Sequence, residues 1–278
     1  MMNKIKSGKV AKLKALLALP VIIAAFFVFA NMSFSNQSSL ATEAGTDYVD
    51  SQKIKHPKSE YFMDIDLETV PMQIVFDGNV FTINGEQYSI AELSEAISNE
   101  KTKCADTYRC MASLEIDESA KMKEVEALLY TLRKNEVYKI AYIIDPVSNI
   151  GQKGKTYVRY QKLPPLEAKL LDKSEMKAEG IEVFSKNTGE KGFSKQNFEN
   201  ELKTFISSTK KRVIIIKYDN STTYDEYNAY VDAVFVTFYN LRNDYSLKNY
   251  QKNFNDLTDK QQKEIAEMYP ITLMAFLE

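Results

Sequence analysis

The chain has 278 residues, and once about 36 at the N-terminus are set aside as a membrane or targeting segment, one or two domains remain. Hydrophobic residues at 44% and charged residues at 27% exclude a wholly disordered chain, and a single apolar run of spanning length excludes a polytopic membrane protein. The net charge of −2 hides an asymmetry: residues 1–14 hold five lysines and no acid, which leaves 31 basic against 38 acidic residues in the remainder and argues against a nucleic-acid partner.

One histidine and two cysteines also limit the chemistry. A two-histidine zinc helix cannot be built, and a closed Cys/His zinc site would need carboxylates. A Ser-His-Asp or Cys-His enzyme would depend on His56, which sits in Lys55-His56-Pro57-Lys58 and reads as a solvated linker residue. No motif asks for a cofactor or a resident metal, and no catalytic set emerges, so the sequence reads as a binding protein.

Residues 1–14 form a basic segment expected on the cytoplasmic side. Residues 15–34 read as a transmembrane helix, uncharged from Ala15 to Met32, with Pro20 near its entry end and Phe26 and Phe29 in an aromatic cluster. The positive-inside rule then places everything beyond in the periplasm of a bacterial inner membrane. A cleaved signal peptide ending near Val28-Phe29-Ala30 is the other reading and gives the same compartment, although the run is long for a signal peptide. Residues 35–67 are polar and read as a tether.

A first α+β unit is expected over 68–145. Met72–Phe76 and Val80–Ile83 flank Asp77-Gly78-Asn79, a hairpin pattern, and Asn84-Gly85-Glu86 turns the chain again. Ser89-Ile90-Ala91-Glu92 forms a capping box before a helix with Ile90, Leu93 and Ile97 on one face. Cys104 and Cys110 follow in a loop; in an oxidising compartment they are candidates for a structural disulfide, the alternative being two free thiols. Met111–Ile116 reads as a buried strand. Ser119 is placed to cap a helix whose apolar face is Met122, Val125, Leu128, Leu129 and Leu132, and Tyr138–Ile144 reads as a final strand. The acids Glu115, Asp117 and Glu118 read as helix-terminus residues rather than a calcium site. The expected architecture is two helices packed on one face of a small mixed sheet.

Two stretches resemble the periplasmic domain of the ExbD/TolR biopolymer-transport family: Val75-Phe76-Asp77-Gly78 with Thr82-Ile83-Asn84-Gly85-Glu86, and Ile116-Asp117-Glu118-Ser119-Ala120-Lys121-Met122 with Leu132-Arg133-Lys134. Residues 7–21 are similar to the last membrane helix of BlaR-type sensor metallopeptidases, without the peptidase motif. The first resemblance implies a homodimer working with ExbB-like or TonB-like membrane partners; the second implies a BlaR-type metallopeptidase as partner. Members of the ExbD/TolR family carry an aspartate within the membrane helix, and this chain has no acid between Ala15 and Ser33, so its anchor lacks a proton-carrying group.

Residues 146–180 read as a connector. Within it, Asn149 to Thr156 approaches a phosphate-binding loop, but Tyr157-Val158-Arg159-Tyr160 is strand-like where a helix would be needed, which favours a hairpin turn. A second α+β domain is expected over 181–278: a strand at 181–184, a helix capped by Ser194, a buried strand Arg212–Tyr218, a helix from about Tyr224 to Arg242, a capping box Thr258-x-x-Gln261 and a last strand after Pro270. This order echoes the first unit, either as a divergent repeat with a second helix about seven residues longer or as an unrelated α+β module. The tyrosines Tyr218, Tyr224, Tyr227 and Tyr230 fit core or helix surface better than a carbohydrate-binding face.

Overall fold

The computed structural model describes residues 54–104, 110–147, 156–166, 173–189 and 192–277. The chain is mixed α+β, built as two units. In the first, β3 (Met72–Phe76) and β4 (Phe81–Ile83) form the expected antiparallel hairpin, pairing Ile74 with Ile83 and Phe76 with Phe81. Its loop is held by Asp77 Oδ1, which accepts from the amides of Asn79 and Val80 at 2.8 Å. Asn84 and Gly85, at φ 47° and 90°, supply the left-handed pair that a two-residue hairpin turn needs before β5 (Glu86–Tyr88).

After α1 (Leu93–Thr102) come β6 (Met111–Ile116), α2 (Met122–Lys134) and β7 (Lys139–Ile143), with β3, β6 and β7 parallel. Crossover helices bury central parallel strands, which explains the nearly continuous apolar run of β6. The expected apolar face of α2 is buried in full, against Met72, Ile74, Leu114 and Ile116.

Several expectations fail locally. The Ser89 amide and hydroxyl both reach Glu92, but this closes a turn ahead of α1, and Ile90 is left 56% exposed. Ser119 does not cap α2: its amide and hydroxyl go to Asp117 Oδ1 at 2.9 and 2.6 Å, and the helix starts after Lys121 without a side-chain cap. The larger correction concerns the tether and the connector. Residues from 54 onward are structured, with β1 (Lys58–Ser59) and β2 (Met63–Ile65), and the 146–180 stretch supplies β9 (Thr156–Lys162) and α3 (Lys173–Ala178). A two-residue β8 (Asp145–Pro146) pairs in parallel with β1. The sheet therefore has seven strands in the order β2-β9-β7-β6-β3-β4-β5 and is larger than expected. Without β9 the edge of β7 would present unpaired backbone groups. A strand, not a helix, follows the Gly/Lys stretch, so the phosphate-loop pattern lacks its helix; residues 149–155 of that turn lie outside the described residues.

The second unit has β10 (Glu182–Asn187), α4 (Lys195–Ser208), β11 (Arg212–Tyr218), α5 (Tyr224–Tyr250), α6 (Asp259–Met268) and β12 (Leu273–Leu277). Its three strands are parallel in the order β10-β11-β12, the same connection pattern as β3-β6-β7 without the β4–β5 hairpin. Ser194 caps α4, and Thr258 with Gln261 forms a full capping box on α6, both as expected. The expected seven-residue lengthening is too small: α5 has 27 residues against 13 in α2, about 21 Å more. From Tyr230 to Phe238 the helix is buried on every face, because it lies against α2, α4 and β1 at once. No helix among the described residues is long and apolar enough to cross a membrane.

Candidate functional site

The two units meet along a seam. Its centre is an antiparallel bridge between Lys121 and Thr223: the Met122 amide donates to the Thr222 carbonyl at 2.9 Å, and the Tyr224 amide to the Ala120 carbonyl at 2.7 Å. Equivalent residues of the two units face each other here. Asp117 with Ser119 and Asp219 with Ser221 fold the same turn, each serine donating its amide and hydroxyl to the aspartate Oδ1. Asp117 and Asp219, Ser119 and Ser221, and Lys121 and Thr223 are each 102 residues apart, so the bridge lies on a local two-fold relation between the units.

The incoming segment is clasped to both units beside this bridge. The Lys55 amide donates to Asp117, and the Glu118 amide to the Lys55 carbonyl. His56 is not a solvated linker residue: Nε2 meets Glu115 at 2.9 Å and Nδ1 meets Asp145 at 3.2 Å. Burial pulls its pKa down, but the two carboxylates outweigh that and hold it above the ordinary value. Glu115 and Asp117, expected to serve a helix terminus, instead receive this segment. On the second unit, Asn228 Nδ2 donates to the Lys58 carbonyl, and Asp232, 4% exposed on α5, accepts from Ser59 Oγ, from the Glu60 and Tyr61 amides and from Lys195 Nζ at 2.9 Å. Lys195 also meets Glu60 at 2.8 Å; desolvation lowers its pKa, and these partners raise it further than that. The Tyr61 ring stacks on Phe235 at 5.3 Å.

Between α2, β7 and β9 on one side and α5 and β12 on the other lies a cavity of about 100 Å³. Arg159 enters it from β9, 2% exposed, with its guanidinium 5.6 Å from the Tyr142 ring centroid and 5.5 Å from that of Phe235. Its Nε and Nη1 have no hydrogen-bond partner, and neither does the buried Tyr224 hydroxyl on the same lining. Burial lifts the Tyr224 phenol to about 12, against the pull of Arg159. Glu126 also lines the cavity: burial lifts its carboxyl to about 7, with Arg133 pulling the other way. A lone buried cation, an unpaired hydroxyl and an acid that titrates near neutrality mark this cavity as the candidate binding site.

Cys104 and Cys110 are joined by a disulfide with their Cα atoms 5.7 Å apart, tying the end of α1 to the start of β6; neither cysteine lines the cavity. The membrane-helix residues Ala15, Pro20, Phe26, Phe29 and Met32 lie outside the described residues. Tyr218, Tyr224 and Tyr230 are buried, and Tyr227 lines the cavity. Sequence reasoning missed Arg159, Glu126 and Asp232; the one available signal was an arginine inside the strand-like Tyr157-Val158-Arg159-Tyr160. Among the described residues, no group of three or more His, Cys, Asp or Glu side chains is placed to hold a metal ion. No protein-family model, no curated protein and no solved structure matches the chain.

Proposed function

We propose that this is a single-pass envelope protein, anchored by residues 15–34 in a bacterial inner membrane, whose two α+β units lie in the periplasm and act by binding rather than catalysis. It serves as an accessory of biopolymer transport or envelope energy coupling, in the manner implied by its resemblance to ExbD and TolR, without a proton-carrying acid of its own. The observation that supports this reading is the seam: the segment arriving from the anchor side is fastened to both units at once, through Asp117 and Glu118 on one and Asn228 and Asp232 on the other. Such an arrangement suits a protein that carries a surface to a membrane-associated partner.

The test is co-purification of the full chain from detergent-solubilised membranes. ExbB-like or TonB-like subunits are the expected companions. A BlaR-type metallopeptidase in their place would overturn the transport reading in favour of a signalling ectodomain. A reporter fused after residue 60 is expected to be active in the periplasm, and activity in the cytoplasm alone would remove the topology.

A further inference from the structure

Arg159 poses a problem in electrostatics. A buried guanidinium is stable when its donors are met or when an acid is paired with it. The ion pairs of the described residues use lysines and His56, and none includes Arg159. Two ring faces contribute cation–π attraction but accept no N–H hydrogen bond in the plane of the guanidinium. Nε and Nη1 thus remain unmet beside a cavity whose lining also holds the unpaired Tyr224 hydroxyl. Both features are satisfied by the same thing, an oxyanion.

We propose that the inter-unit cavity binds a small monoanionic carboxylate, its oxygens on Arg159 and the Tyr224 hydroxyl and its short apolar body against Val125, Leu129, Leu163 and Val231. Size comes from the volume: an engineered cavity of roughly 150 Å³ takes the six non-hydrogen atoms of benzene, so about 100 Å³ encloses roughly four, and the site is not fully closed, which leaves room for one or two more. Charge comes from the lining, where Arg159 and Arg133 stand against Glu126 and Arg133 already gives Nε to the Pro164 carbonyl at 3.0 Å. One unpaired cation matches one negative charge. A phosphate dianion would bring excess charge beside Glu126 and would leave the apolar wall uncovered.

This inference rests on the reading that the protein acts by binding and names the class of ligand for its cavity. The experiment is calorimetric titration of the detergent-solubilised full chain with sodium butyrate, with inorganic phosphate and n-butylamine as comparisons. Saturable binding of butyrate alone is expected, and at tenfold excess over Kd the Tm rises by about 3–5 °C. Arg159→Gln is expected to weaken butyrate at least tenfold. Glu126→Gln is expected to tighten it severalfold at pH 8, where the wild-type carboxylate is ionised beside Arg133, Tyr142, Tyr218 and Tyr227 and on the same lining as Arg159, and this variant tests the site even if Arg159→Gln does not fold. The proposal is overturned by no saturable butyrate binding up to about 50 mM, by phosphate binding as tightly, by unchanged affinity in Arg159→Gln, or by unchanged or weakened affinity in Glu126→Gln. Partner capture without butyrate binding overturns the ligand site alone. Butyrate binding without partner capture overturns the envelope-coupling reading alone.

Discussion

Replacing Asp232 by alanine removes the acceptor that fastens residues 59–61 to α5. In the wild type this carboxylate is almost fully buried and takes four donors: Ser59 Oγ, the Glu60 and Tyr61 amides at 3.1 and 3.3 Å, and Lys195 Nζ at 2.9 Å. Without Asp232 the single Ser59 hydroxyl proton turns to the Tyr61 carbonyl, 2.8 Å away, and Lys195 keeps Glu60, so neither loses every partner. Glu60 is exposed, and water satisfies its amide after the change. The net loss is therefore smaller than four charge-assisted hydrogen bonds and amounts to about 3–4 kcal/mol. For two units of this combined size it corresponds to a fall in Tm of about 6–15 °C, measured by far-UV circular dichroism at pH 7. Asp232→Asn retains an acceptor without the charge and should lose about half as much. Hydrogen exchange locates the effect: the Glu60 and Tyr61 amides should exchange faster, while those of β6 keep their protection. A loss below about 1 kcal/mol, or unchanged exchange at 60 and 61, would refute the clasp.

Three further outcomes follow from the same geometry. His56 has a folded-state pKa above its unfolded value, so its contribution to stability is fully present below about pH 6.5 and is lost as pH rises through the folded value; the Tm advantage of wild type over His56→Gln should shrink between pH 5.5 and 8.5. Glu126 is an acid raised from 4.5 to about 7, so the folded state holds its proton more tightly and loses stability as pH rises between those values; Glu126→Gln should raise stability by about 1–3 kcal/mol at pH 8 and by almost nothing at pH 4.5, read from urea midpoints. The Cys104–Cys110 bridge closes a short loop worth about 2 kcal/mol in chain entropy; the denatured, unreduced protein should show no titratable thiol, and Cys104→Ala/Cys110→Ala should lower stability by that amount.

The elements that stood out in the sequence share one property: their signal is local. The apolar stripe of α2, the Asp77-Gly78 and Asn84-Gly85 turns and the run Arg212–Tyr218 each carry their pattern within one element, and each is found where expected. What was missed is long-range or polar. Residues 54–61 have few apolar side chains and read as a linker, yet hydrogen bonds to residues up to 173 positions away hold them in place. Arg159 fits the alternation of an ordinary exposed strand, and the rings of Tyr142 on β7 and Phe235 on α5, contributed from far along the chain, bury it. The end of α5 was placed too early because the conspicuous Asn240-Leu241-Arg242-Asn243 suggested a terminus, whereas the helix continues to a left-handed cap at Gln251.

The clasp has a mechanical consequence. A pull on the chain ahead of residue 54 meets Lys55 on Asp117 and Glu118, the short β1–β8 pairing and Asp232 before it reaches β2, the edge strand of the seven-stranded sheet. Tension applied at residue 54 would thus be delivered to the boundary between the two units, the same boundary that walls the cavity of Arg159.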